Sequence, residues 1–164
     1  MRVGILGGTF DPIHAGHLLI AESARQHLSL DRVIFMPAGQ PWMKADLPIS
    51  GAHHRIEMAR LATEDNLRFI VSDAEVLREG PTYTIETLAE LRDKLSPDTE
   101  VFLIMGSDTI NELPRWKEAE QIKKFAKVVT VDRPGANVVE MEAERVAGGL
   151  TRVESPAINI SSSE

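Results

Sequence analysis

The chain has 164 residues, 43% of them hydrophobic, a net charge of −7 and no cysteine. That length suits one domain burying roughly 70% of its unfolded surface, and the missing thiols exclude disulfides, thiolate catalysis and cysteine metal clusters. The acidic balance argues against a nucleic-acid surface, no apolar run approaches a membrane span and no secretory leader is read at the start, so a cytoplasmic protein is expected, with any anionic substrate held by local cations.

In chain order, residues 3–6 form a continuous apolar run stopped by Gly7-Gly8, which predicts a short buried strand. Leu18, Ala21, Ala24 and Leu28 then recur at helical spacing, with Glu22, Arg25 and Gln26 on the opposite side. Further strands are predicted at 33–36, 69–71, 101–105 and 128–131. Helical patterns occupy 54–62 and 85–95, the second stopped by Pro97-Asp98. Ala119, Ile122 and Ala126 mark another helix, and a weaker pattern over 138–146 ends at Gly148-Gly149. The segment 38–50 reads as a long loop of the kind that covers a site, and His53 and His54 read as surface or cap residues. Alternating fully apolar strands and helices predict an α/β fold: a Rossmann-like, doubly wound parallel sheet with helices on both faces.

Residues 7–17 spell Gly-Gly-Thr-Phe-Asp-Pro-Ile-His-Ala-Gly-His between the first strand and the first helix. The first amides of a helix lack intrahelical acceptors and carry about half a positive charge, so this end favours an anion. Gly7, Gly8 and Gly16 remove side chains where phosphate would approach the backbone. His14 and His17 share one helix face if the helix starts near Ala15, and both rings then reach one polyphosphate. The G-x-G-x-x-G fingerprint is absent, and so is a Walker-type loop, since no lysine precedes Lys44. A metal site from Asp11, His14 and His17 would need more than H-x-x-H, which lacks the glutamate of zinc protease helices, and no protein-held metal is assigned. Histidines that merely cap a helix are the plainer alternative; the pair behind a glycine turn favours the phosphate site.

Four other positions stand out. Gly106-Ser107-Asp108 follows a strand directly and is either a carboxylate turn for ribose hydroxyls or a helix cap. Tyr83-Thr84 opens a helix, with Thr84 as its cap and an anion-favouring start. Trp116 is either core or an aromatic platform. Arg133-Pro134-Gly135 makes a turn at a strand end.

The run G-G-T-F-D-P-I-H-x-G-H-L resembles the H-x-G-H motif of the nucleotidyltransferase superfamily, and in this wording is similar to bacterial nicotinate-nucleotide adenylyltransferases. The resemblance extends from Gly7 to Ser163 and includes Y-T-x-x-T-L from Tyr83 and L-P-x-x-W ending at Trp116. It implies adenylyl transfer from ATP to nicotinate mononucleotide, with Mg²⁺ carried mainly by the ATP phosphates. On that resemblance Gly7, Gly8, Thr9, Phe10, His14, His17, Gly106, Asp108, Arg133, Ser161 and Ser162 would line ATP. Lys44, Tyr83, Thr84 and Trp116 would hold the nicotinate mononucleotide, and Lys44 would also act with His14 and His17 in the chemistry.

Two departures stand out. Pro41-Trp42-Met43-Lys44 replaces the usual P-x-H-K, so Met43 stands where a histidine is common. Ile160-Ser161-Ser162-Ser163-Glu164 carries the serines of I-S-S-S/T-x-(I/V)-R without the arginine, and Ser161 with Glu164 forms a capping-box pattern. The expectation is one domain over 1–164, lacking its C-terminal helix and compatible with a homo-oligomer. Two alternatives remain. A pantetheine-phosphate adenylyltransferase usually has threonine where His14 stands, and a binding module without turnover would give no dinucleotide.

Overall fold

Short runs of Val, Ile, Leu and Phe, each closed by glycine or a turn, bury both faces when they lie side by side. The computed structural model describes residues 1–39, 50–132 and 139–155, and these contain six strands. They are β1 (Arg2–Gly8), β2 (Arg32–Pro37), β3 (Phe69–Val71), β4 (Glu100–Gly106), β5 (Lys127–Asp132) and β6 (Thr151–Glu154). Their order is β3-β2-β1-β4-β5-β6, with every pairing parallel. The chain runs outward from β1 to β3, then returns to lay β4 against the other side of β1. Such a reversal opens a crevice beyond the carboxyl ends of the two central strands.

The period of two along β4 divides the core. Val101, Leu103 and Met105 join Ile5 and Val128 on one face, and Phe102 and Ile104 join Leu6, Val129 and Val131 on the other. Helix α1 (Ala15–Leu28) buries Ala21 and Ala24 in the second cluster. Its opposite side carries Glu22, which accepts from Gln26 at 2.9 Å, as the spacing predicts. Helix α3 (Thr84–Lys94), α4 (Ala119–Ile122), α5 (Met141–Ala147) and a 3₁₀ turn over Ile110–Arg115 cover the first cluster. Helix α2 (Ala52–Thr63) joins β2 to β3. Gly148, at a positive φ of 71°, closes α5 where the double glycine predicts it.

Three sequence expectations need correction. The edge strand β6 is not expected, because only Val153 of its four residues is buried and an edge strand shows little apolar pattern. The helix marked by Ala119, Ile122 and Ala126 stops at Ile122; Phe125 and Ala126 both bond back to the Ile122 carbonyl, because the chain must turn to start β5 at Lys127. Thr84 is not the cap of α3: Tyr83 holds that position with extended backbone, and Thr84 is the first helical residue. Among the described residues, no helix is long and apolar enough to cross a membrane.

Candidate active site

Strand β1 ends at Gly8, and after six intervening residues α1 begins at Ala15. His14 is the N-cap, in extended conformation, and its Nδ1 accepts the Gly16 N–H at 3.0 Å. His17 returns the bond, its Nδ1 accepting the His14 N–H at 3.1 Å. The two imidazoles therefore perform the reciprocal cap usually made by a serine and a glutamate. Their rings stack, with centroids 3.9 Å apart and planes 26° apart. Since each Nδ1 receives a backbone N–H, each neutral ring carries its proton on Nε2. The helix start thus holds two parallel rings whose Nε2–H groups act as donors.

The turn leading to these histidines is packed firmly. Phe10 has a φ of 51°, a left-handed conformation uncommon outside glycine, and is almost fully buried. Its ring meets His17 edge-on at 4.9 Å and lies 5.9 Å from Phe35. A Cβ on Gly8 would stand 3.5 Å from the Phe10 ring, an ordinary van der Waals contact, so the ring packs directly beneath the turn.

Gly106 ends β4, and the β1–β4 register pairs Leu6 with Ile104, which sets Gly8 and Gly106 at neighbouring strand ends. Ser107 is buried and its N–H bonds the Val131 carbonyl at 3.2 Å, tying this turn to β5. Asp108 follows, exposed. Thr109 stands at the N-cap of the 3₁₀ turn beyond, and its side chain, rather than capping that turn, donates from Oγ1 to the Gly106 carbonyl at 3.0 Å. The sequence therefore brings His14, His17, Gly106 and Asp108 to one end of the sheet, at its point of reversal.

Tyr83 and Trp116 are half-buried against the same hydrophobic cluster. Lys117 Nζ lies 4.6 Å above the Tyr83 ring, a cation–π contact at the start of α3. Trp116 is neither fully buried nor fully exposed, a position between its two predicted readings. Lys44, Arg133, Ser161 and Ser162, with Met43 and the capping-box pattern at Glu164, lie outside the described residues. Of the expected loop over 38–50, only Ala38, Gly39 and Ser50 are described.

Two groups are missed by the sequence reading. Arg55 of α2 is 1% exposed, with its guanidinium turned to the main chain around the glycine turn. Burial lowers its pKa, and the Asp11 charge works in the other direction. Glu75 is buried beneath the start of α3, where its Oε2 accepts the Thr87 hydroxyl at 2.7 Å. Arg78 donates to Thr87 Oγ1 at 3.0 Å and to Glu90 at 2.9 Å. Burial pushes the Glu75 carboxyl up, and the Thr87 hydrogen bond partly opposes it. Charged residues in an acidic chain usually mark solvated surface, and only a buried neighbourhood distinguishes these two. Among the described residues, no cluster of three His, Asp or Glu side chains could hold a metal ion.

A parallel sheet with a histidine-capped helix at its switch point defines a nucleotidyltransferase, and the cytidylyltransferase-like family model matches residues 5–164. The "Probable nicotinate-nucleotide adenylyltransferase" of Clavibacter michiganensis subsp. michiganensis is 43% identical over 164 residues, spanning 100% of this chain and 80% of that protein. The protein of the same name from Corynebacterium kroppenstedtii is 42% identical over 161 residues, spanning 98% of this chain and 76% of its own. The chain belongs to the nicotinate-nucleotide adenylyltransferase family. The fold is also that of the Plasmodium falciparum nicotinic acid mononucleotide adenylyltransferase complexed with NaAD, at a TM-score of 0.81 and 19% identity over 99% of this chain and 80% of that one.

Proposed function

We propose that this chain transfers the adenylyl group of ATP to nicotinate mononucleotide, forming nicotinate adenine dinucleotide and releasing pyrophosphate. The observation that carries the reading is the stacked pair His14 and His17, which cap α1 with Nδ1 and keep their protons on Nε2. No protein nucleophile is required. The second pKa of a phosphate monoester is about 6, so the mononucleotide phosphate is mostly dianionic at neutral pH and attacks the α-phosphorus directly. An oxygen–phosphorus bond forms as the bond to the departing pyrophosphate breaks.

The chain's part is orientation and charge neutralisation, and orientation alone lowers such a barrier by about 7–11 kcal/mol. His14 and His17 donate to the α-phosphate and the departing group, the start of α1 favours the phosphates, and Gly7, Gly8, Thr9 and Phe10 line ATP on the strength of family resemblance. Gly106 and Asp108 serve the nucleoside. Tyr83 and Thr84 take the nicotinate carboxylate at the α3 start, and Trp116 stacks on the ring. Lys44, Arg133, Ser161 and Ser162 complete the phosphate contacts on the strength of family resemblance. Mg²⁺ enters with ATP, bound chiefly by the substrate's own phosphates.

The test is pyrophosphate release from MgATP with nicotinate mononucleotide, nicotinamide mononucleotide or phosphopantetheine supplied separately. Release with nicotinate mononucleotide is expected. Release only with phosphopantetheine, or silence with all three, would overturn the proposal.

A further inference from the structure

Arg55 sits early in α2, and four of its five N–H donors go to main-chain carbonyls from three separate segments. Its Nε donates to Ser50 at 2.9 Å, Nη1 to Thr9 at 3.0 Å and Ala38 at 2.5 Å, and Nη2 to Gly39 at 3.1 Å. A buried cation is costly unless its donors are met, so a side chain that only filled space here would be apolar. Its acceptors border the phosphate turn. Thr9 belongs to that turn, Ala38-Gly39 leave β2, and Ser50 precedes α2.

Asp11 completes the arrangement. Its Oδ2 accepts the Ser50 N–H at 2.9 Å, while Arg55 takes the carbonyl of that same residue. The Ser50 main chain is thus gripped from the turn on one side and from α2 on the other. In a trans peptide the carbonyl and the following N–H point in opposite directions. The Thr9–Phe10 peptide is trans, so drawing the Thr9 carbonyl onto Arg55 turns the Phe10 N–H away from the cation. Rotating that peptide would also move the Phe10 ring, whose edge supports His17.

We propose that Arg55, with Asp11, is a positioning residue for the phosphate turn: through Thr9 and Ser50 it orients the Thr9–Phe10 peptide and the ring that backs His17. The inference rests on reading this turn as the polyphosphate site. Arg55 acts through the main chain, so its loss disturbs phosphate contacts and leaves the nicotinate half alone.

The test compares wild type with Arg55→Lys, Asp11→Ala and Asp11→Asn, measuring kcat and the affinities for inorganic pyrophosphate, ATP and nicotinate mononucleotide by calorimetry. A lysine keeps the charge without the fork, and a displacement near 1 Å costs about a hundred-fold in kcat. Arg55→Lys is expected to show that loss, with pyrophosphate and ATP bound about ten-fold more weakly, the effect of one lost charged hydrogen bond, and nicotinate mononucleotide affinity unchanged. Asp11→Ala should show the same selective pattern more mildly, and it decides the matter if Arg55→Lys does not fold. Asp11→Asn, which keeps an oxygen for the Ser50 N–H, should restore wild-type behaviour. Parallel weakening of pyrophosphate and mononucleotide, or no change in either, would overturn the proposal. A wild-type chain that binds neither ATP nor pyrophosphate would instead overturn the reading of the site.

Discussion

Replacing His17 by asparagine and by alanine separates the two duties of its ring. The asparagine side-chain oxygen reaches the place of Nδ1, so it can accept the His14 N–H that His17 accepts at 3.1 Å. It has nothing at Nε2. Alanine loses both groups. An N-cap interaction is worth about 1 kcal/mol. For a chain of 164 residues that lowers Tm by about 2–4 °C. One donor aimed at developing charge is worth about a hundred- to thousand-fold in kcat. Thermal melts followed by pyrophosphate-release kinetics should therefore show His17→Ala with a reduced Tm and at least about a hundred-fold lower turnover. His17→Asn should melt like wild type and be equally slow. An asparagine variant with near-normal turnover would refute the assignment of Nε2–H as the working atom, and an alanine variant with unchanged Tm would refute the cap.

Two further outcomes follow from buried contacts. A Cβ on Gly39 would overlap the Glu75 carbonyl oxygen and stand 3.0 Å from the Val76 Cα, so Gly39→Ala must push two backbones apart. It should cost about 1–3 kcal/mol, seen as a Tm several degrees lower, and an unchanged melt would refute the close approach. Burial raises the Glu75 carboxyl above its ordinary 4.5, so the folded chain keeps that proton where the unfolded chain has released it. Its contribution to stability is complete below that ordinary value and is lost as pH rises through the folded value. Glu75→Gln keeps an oxygen for Thr87, so as pH rises above that ordinary value wild type should lose stability relative to the variant. Parallel pH–stability curves would contradict the shift.

The glycine turn and its histidines were legible because their signals are local. Gly7-Gly8 ends an apolar run, and Leu18 to Leu28 keeps the helical period, so the spacing of His14 and His17 already fixed their common face. That the sheet is parallel followed from apolar strands alternating with helices; the order of its strands around β1 was not read from the sequence. Arg55 was not legible, because its partners are peptide oxygens at positions 9, 38, 39 and 50, and a carbonyl leaves no mark in a sequence. Glu75 is hidden for a related reason: its partner Thr87 stands a helix turn beyond a loop, and nothing in the intervening residues signals burial. Strand β6 escaped because an edge strand with one buried side chain has no period to read.

The double cap on α1 also limits what kind of acceptor the site can use. A ring whose Nδ1 is committed to a peptide and whose Nε2 already bears hydrogen can give a hydrogen bond, but to take a proton it would have to release the helix. Under the proposed function His14 and His17 therefore act as hydrogen-bond donors rather than bases. A substrate alcohol would find no base in these two rings, whereas an acceptor that arrives already ionised needs none, and a phosphate monoester is of that kind.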